Sequence, residues 1–174
     1  MPQFLWKLHG KEAYIWDLVL TYFFAGVLTA FQVVYLLDSA YWKTALMVFL
    51  SFDIGGGVVS NFTLGTRKFY AESRRSPHIF IWFHSIQSLG LILVYPECLI
   101  PILVISGASI LSSSLIVLLR TPSFQMQWAG FFYGVLVLLS TSYFSLPIPV
   151  ISLLLLLAFK LVVAFSGNFK RVTE

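Results

Sequence analysis

The chain has 174 residues, of which 59% are hydrophobic and only 10% are charged, and its mean hydropathy is +0.89. A soluble domain carries about 25% charged residues, so this composition excludes a water-soluble globular protein and indicates one that uses lipid as solvent. The net charge of +4 does not indicate a nucleic-acid partner, because in membrane proteins the positions of lysine and arginine matter more than their sum.

A helix needs about 20 apolar residues to cross the hydrocarbon core of a bilayer, and six stretches of this chain meet that requirement. We therefore predict an all-α fold in a single integral membrane domain, residues 1–174, built as a six-helix transmembrane bundle with short loops. The last two stretches are also compatible with re-entrant segments, but both are long enough to cross. The predicted spans are 14–37, 41–64, 77–95, 97–119, 124–144 and 147–166.

The distribution of basic residues predicts the orientation of these spans. Six spans place both termini on one side, and nine of the eleven lysines and arginines fall on that side. These nine are Lys7, Lys11, Arg67, Lys68, Arg74, Arg75, Arg120, Lys170 and Arg171. Because lysine and arginine are concentrated in cytoplasmic loops, we expect both termini to be cytoplasmic. Short loops and the lack of a cleavable signal pattern favour a bacterial inner (plasma) membrane.

The second predicted span contains the stretch SFDIGGGVVSN, residues 51–61, which places an acid near the middle of the bilayer. A carboxylate there costs about 2.5–3.5 kcal/mol on insertion scales, so Asp53 should face protein or water rather than lipid. Helical spacing of about 100° per residue puts the small and polar side chains of this stretch on one stripe. The stripe consists of Asp53, Gly56, Gly57, Ser60 and Asn61.

Two interpretations of the small residues Gly55, Gly56, Gly57 and Ser60 remain open. They favour close approach of a second helix, which is how helices associate in lipid. They also leave room beside Asp53 for a water, an ion or a ligand. Close packing explains the glycines but not the carboxylate, and the stretch lacks the Gly-Lys-Ser/Thr ending of a phosphate-binding loop.

The third span brings His84 and Gln87 to one helix face, on a helix that runs antiparallel to the second span. At equal depth, His84 should lie near Gly57 and Gln87 nearer Asp53, so a contact of Asp53 with either residue is expected. His84 is either an interhelical hydrogen-bonding group or a proton-handling group, because its unperturbed pKa is about 6.5.

Two further charged residues lie inside predicted spans. Asp17 is near the cytoplasmic end of the first span, where it is either solvated or part of a polar cluster. Lys160, in the sixth span, either extends to the cytoplasmic surface or pairs with Asp17 or Asp53. Together the polar residues predict a cavity in the cytoplasmic half of the bundle. The candidate ligand, ion or proton-handling residues are Asp53, His84, Gln87, Asn61, Asp17 and Lys160.

These features favour transport, or binding of a ligand or ion, through a polar cavity around Asp53. The alternative is a non-catalytic scaffold or assembly subunit, for which the glycine stripe would be the assembly surface. A lipid-acting enzyme is the third possibility, but the sequence has no G-x-S-x-G or H-E-x-x-H motif and no zinc-ligand spacing. We predict no cofactor or metal, and as partners the lipid bilayer and either a second copy or a larger membrane complex.

Overall fold

The computed structural model describes residues 13–37, 39–71, 76–119 and 124–169, and all regular elements in these ranges are helical. The all-α prediction is confirmed for this part of the chain. In chain order the elements are α1 Ile15–Val34, α2 Tyr41–Ser60, α3 Leu64–Ala71, α4 Ser76–Phe83, α5 Ser85–Val94, a 3-10 turn Pro96–Cys98, α6 Leu99–Leu119, α7 Gln125–Ser142, α8 Ile148–Ala158 and a π-helical segment Phe159–Gly167.

Five helical stretches within the described ranges are long and apolar enough to cross a membrane. They are Ile15–Val34, Tyr41–Ser60, Pro77–Val94, Pro96–Leu119 and Ile148–Gly167. They coincide with five of the six predicted spans. The remaining prediction, 124–144, corresponds to α7, an 18-residue helix that begins Gln-Met-Gln and ends Ser-Thr-Ser. These polar ends make α7 less apolar than the other five stretches, and the six-span count stays a prediction.

The second predicted span extends beyond the end of the helix that it forms. Helix α2 ends at Ser60, and the chain turns through Asn61 to Thr63 before α3 begins. The Thr63 hydroxyl donates to the Ser60 carbonyl at 2.8 Å and accepts from the backbone N–H of Thr66 at 3.4 Å. Thr63 therefore satisfies polar groups at the end of α2 and the start of α3, which fixes the turn.

Helices α4 and α5 form one apolar stretch that is interrupted at His84. The backbone N–H of His84 donates to the Ile81 carbonyl at 3.2 Å, and the N–H of Gln87 donates to the His84 carbonyl at 3.1 Å. Hydrogen bonds over three residues belong to a tight turn rather than to an α-helix. The Ser85 hydroxyl donates to the Trp82 carbonyl at 2.8 Å, so this carbonyl has a hydrogen-bond partner at the interruption.

Helix α8 and the π-helical segment form the centre of the bundle. Leu153, Leu157 and Leu161 are buried there, and this last stretch packs against α2, α6 and α7. Helix α2 also contacts α5, and the Lys43 ammonium at the start of α2 donates to the Val94 carbonyl at the end of α5, at 3.2 Å. The two helices therefore run antiparallel as neighbours, as their short connection predicts.

Helix α1 lies along the outer side of α2, where glycines allow close approach. A Cβ atom added to Gly55 would lie 3.1 Å from the Cα atom of Ala25 and 3.2 Å from the Leu28 side chain. One added to Gly56 would meet Thr21 and Ala25 at ordinary contact distances of 3.6 and 3.8 Å. Close packing, the first of the two interpretations of the small residues, therefore applies to Gly55, whereas a side chain would fit at Gly56.

Candidate functional site

A cavity of about 270 Å³ lies between α2, α3, the interrupted helix α4–α5 and the π-helical segment. Its walls combine a polar group of side chains with an apolar and aromatic group. The polar members are Asp53, Ser60, Asn61, His84, Gln87 and Lys160. The remaining wall residues are Gly57, Tyr70, Ile79, Phe80 and Phe83. Residues that are far apart in the sequence therefore meet in one space inside an apolar bundle.

An ion pair between Lys160 and Asp53 forms one wall of the cavity. The Lys160 Nζ atom donates to Asp53 Oδ2 at 3.1 Å and to the Asp53 backbone carbonyl at 3.2 Å. The lysine side chain is 3% exposed, whereas the aspartate side chain is 35% exposed. Lys160 thus pairs with Asp53 inside the bundle instead of extending to the surface, and the carboxylate is the accessible partner.

Gly57 provides the space through which the Lys160 side chain passes. A Cβ atom added to Gly57 would lie 2.6 Å from Lys160 Nζ and 2.7 Å from Lys160 Cδ, closer than real Cβ atoms approach. The second interpretation, room beside Asp53, therefore applies to Gly57, whereas close packing applies to Gly55. The room is occupied by the tethered ammonium group of this chain.

His84 faces the cavity from the interruption between α4 and α5. Its Nδ1 atom lies 2.7 Å from the Phe80 carbonyl oxygen, and its ring packs edge-on against the Phe80 ring with centroids 4.5 Å apart. A carbonyl oxygen only accepts hydrogen bonds, so Nδ1 carries the hydrogen. In the neutral ring the Nε2 atom is then an acceptor.

Two side-chain amides add further acceptors to the cavity wall. The Asn61 Nδ2 atom donates to the Lys160 carbonyl at 3.3 Å, which leaves Oδ1 as its acceptor. Gln87 is only 6% exposed, and its buried Oε1 atom has no hydrogen-bond partner. A buried polar atom without a partner costs about 1–3 kcal/mol, so an acceptor left in this way favours a donor from outside the chain.

The structure does not bring all the predicted residues together. Asp17 lies in the first turn of α1, where its Oδ2 atom accepts the N–H of Tyr14 at 3.4 Å, and it is not part of the cavity wall. Gly56, predicted on the same stripe as Asp53, faces α1 instead. The expected contact of Asp53 with His84 or Gln87 is replaced by the ion pair with Lys160, although all four residues line one cavity.

Tyr70 is a wall residue that the sequence pattern does not indicate. It lies in the polar segment between the second and third predicted spans, whose basic residues predict only the orientation of the spans. Residues Leu64–Ala71 fold into α3, and the Tyr70 ring packs against Phe80 and Phe165 at centroid distances of 4.9 and 5.2 Å. Burial raises the pKa of Tyr70 well above its usual value, so the phenol stays neutral.

In the part of the chain that the structure describes, no group of three or more His, Cys, Asp or Glu side chains is arranged to hold a metal ion. The cavity wall contains one carboxylate, that of Asp53, and one imidazole, that of His84. The other polar groups of the wall include two amides and one ammonium group. This donor set suits hydrogen bonding and charge pairing rather than a closed metal site.

Comparison with protein-family models, with curated proteins and with solved structures finds no match to this chain. Its function is therefore argued from the cavity and from the physical chemistry of the residues around it.

Proposed function

We propose that this chain is an integral membrane protein that binds a small ligand or ion at Asp53 and transports it through the cavity. In this proposal six helices cross the plasma membrane of a bacterium, and both termini are cytoplasmic. The observation that carries the proposal is the Asp53–Lys160 ion pair on the wall of a cavity within a bundle of apolar helices. The chain acts as a homo-oligomer or within a larger membrane complex.

A purely structural role does not account for this ion pair. Removing charges from water is costly, and replacing a buried pair by apolar side chains of similar volume is often neutral or stabilising. Packing alone would therefore favour apolar residues at positions 53 and 160. Ionisable residues inside membrane helices commonly belong to substrate or proton pathways, and this supports a functional role for Asp53.

The backbone around the cavity supports transport in particular. The interruption at His84 and the π-helical segment Phe159–Gly167 both depart from α-helical geometry, and both contribute to the cavity wall. Irregular backbone at membrane depth is tolerated where protein or a water-filled cavity surrounds it, and transporters often place substrate sites at discontinuous helices. Because two such segments line one cavity, the bundle has elements that can change conformation around a bound ligand.

Access of water to the cavity is the first test of the proposal. With the single native cysteine removed by Cys98→Ala, Ser60→Cys places a thiol on the cavity wall. Ser113→Cys is the matched control, because Ser113 is also a buried serine but lies outside the cavity. We expect methanethiosulfonate-ethylammonium to label Ser60→Cys at least about tenfold faster. Equally slow labelling of both variants would contradict a solvent-accessible site.

The Asp53→Asn variant separates transport from the other two functions. If the chain is a transport protein, Asp53→Asn should abolish proton flux into proteoliposomes, which an entrapped pH dye follows. The expression and oligomeric state of the variant should be unchanged. Loss of a co-purified partner protein, without a change in flux, would instead support an assembly subunit. Loss of turnover of added lipid would support an enzyme.

A further inference from the structure

Several of the side chains that line the cavity carry hydrogen-bond acceptors. Asp53 contributes its carboxylate, Asn61 its Oδ1 atom, and Gln87 an Oε1 atom that is buried without a partner. The Nε2 atom of His84 is an acceptor in the neutral ring, because Nδ1 donates to the Phe80 carbonyl. A ligand that satisfies these atoms has to donate hydrogen bonds.

The charge that a ligand can reach is negative. The Lys160 side chain is 3% exposed and its Nζ atom contacts the carboxylate and carbonyl of Asp53, so the ammonium is enclosed by its partner. The Asp53 side chain is 35% exposed, and Lys160 bonds only its Oδ2 atom, which leaves Oδ1 for the cavity. An anionic ligand would meet the carboxylate before it met the lysine, and like charges repel.

The other walls of the cavity suit an apolar body. Tyr70, Phe80 and Phe83 present aromatic rings, and Ile79 and Phe83 extend to the outer surface of the bundle, where they are 66% and 63% exposed. A volume of about 270 Å³ is far larger than a bare alkali ion needs. Aromatic faces also attract organic ammonium groups, which they recognise through cation–π contacts.

We infer that the ligand is a small organic cation whose ammonium group binds at Asp53 and Gln87 and whose apolar body lies against Phe80 and Phe83. This inference rests on the proposed function, because it identifies the class of ligand for the same cavity. Lys160 is then a tethered competitor, since its own ammonium group holds Asp53 while the site is empty. Gly57 keeps the path open along which this side chain reaches the carboxylate.

The test measures the binding of three probes that share a phenyl body and differ in the head group. 2-Phenylethylammonium, 2-phenylethanol and 3-phenylpropionate are titrated calorimetrically into the full chain in lipid nanodiscs, with empty nanodiscs as the blank. We expect the ammonium probe to bind at least about tenfold more tightly than either of the others. Asp53→Asn should weaken ammonium binding at least about tenfold and leave binding of the alcohol unchanged.

Two further variants examine Lys160 and Gln87. Lys160→Met removes the competitor and should strengthen binding of the ammonium probe about tenfold or more. Gln87→Leu removes the unpartnered acceptor and should weaken it about tenfold. Ser113→Ala, which removes another unpartnered buried oxygen outside the cavity, should change nothing. Should Lys160→Met fail to fold, the wild type, Asp53→Asn and Gln87→Leu still decide the question.

Preferential binding of the carboxylate probe, lost in Lys160→Met, would overturn the inference, because it would make Lys160 the recognition group. Equal affinity for the alcohol and ammonium probes in the wild type and in Asp53→Asn would overturn it as well. So would the absence of binding of all three probes. Each of these results leaves the proposed function intact if Ser60→Cys is labelled rapidly, whereas slow labelling of that thiol counts against the proposed function itself.

Discussion

Gly56 and Gly57 are neighbours in the sequence, but the side chains that they lack would meet different parts of the molecule. A Cβ atom on Gly56 would make ordinary contacts with Thr21 and Ala25 of α1, whereas one on Gly57 would overlap Lys160. A side chain is therefore compatible with the structure at position 56, whereas at position 57 it would disturb the ion pair. Both are α-helical, and a mid-helix glycine is less stable than alanine by about 0.5–1 kcal/mol when nothing else changes.

Alanine substitutions at these two positions should therefore act in opposite directions. Gly57→Ala displaces the Lys160 ammonium from Asp53, and we expect a loss of about 1–3 kcal/mol, below the value for a fully buried pair because Asp53 is partly exposed. Gly56→Ala should be neutral or more stable by up to about 1 kcal/mol. The free energy of unfolding in mixed detergent micelles measures both. If Gly57→Ala were as stable as the wild type, the ion pair would not depend on the absence of a side chain at position 57.

The sequence was sufficient to identify some of these residues and not others. The insertion cost of a carboxylate implied that Asp53 faces inward, and helical spacing placed Gly57, Ser60 and Asn61 beside it. Lys160 could not be assigned, because its flexible side chain is long enough both to reach the surface and to pair inside. Tyr70 could not be found, because a short helix in a polar segment has no apolar periodicity long enough to indicate burial.

Helices α1 and α2 approach each other closely at Gly55. A Cβ atom added to Gly55 would lie 3.1 Å from the Cα atom of Ala25. This Cα atom belongs to the backbone, so it cannot move unless α1 moves with it. Helices in lipid associate through such contacts, because burial of apolar surface gives no advantage over contact with lipid chains. The attachment of α1 therefore depends on a small residue at position 55.

Gly55→Ala should loosen α1 from α2. We expect a loss of about 1–3 kcal/mol, the usual range when extra atoms are forced into a packed interface. Gly26→Ala is the matched control, since Gly26 is also within a transmembrane-length helix and its added Cβ atom would have no neighbour within 4 Å. Unfolding in mixed micelles and limited proteolysis within α1 measure the effect. Equal stability of the two variants would be evidence against close packing as the attachment of α1.

Apolar length was enough to locate the long helices, but it did not reveal their irregularities. The interruption at His84 occurs without a proline or glycine at that position, and the π-helical segment lies in a stretch that is apolar except for Lys160 and the polar residues near its end. Such departures accompany side-chain hydrogen bonds to the backbone, which are the local bond from His84 Nδ1 to the Phe80 carbonyl and the tertiary bond from Asn61 to the Lys160 carbonyl. A pattern of hydropathy contains no record of these contacts.

At the scale of the whole molecule, α7 decides how many times the chain crosses the membrane. Its polar ends lower its hydropathy, yet the count of spans determines which loops share a side. Six spans place nearly all basic residues on the side of the termini, whereas five spans would put the chain after α7 on the opposite side. The loop between α7 and α8 is therefore the position at which the two topologies differ.

Single cysteines in the Cys98→Ala background distinguish these topologies. Glu97 and Tyr143 are exposed at the connections before α6 and α8, and Lys68 is exposed on α3. If α7 crosses, a membrane-impermeant maleimide added to right-side-out vesicles should label Glu97→Cys and Tyr143→Cys, and should label Lys68→Cys only after the vesicles are opened. Labelling of Glu97→Cys alone in closed vesicles would mean that α7 does not cross. The Gln32 amide near the end of α1 donates to the Pro149 carbonyl and the Ser152 hydroxyl at the start of α8, so that result would also contradict the packing of α8 beside α1. Because Tyr70 of α3 lines the cavity, labelling of Lys68→Cys on the same helix identifies the side of the membrane nearest the cavity.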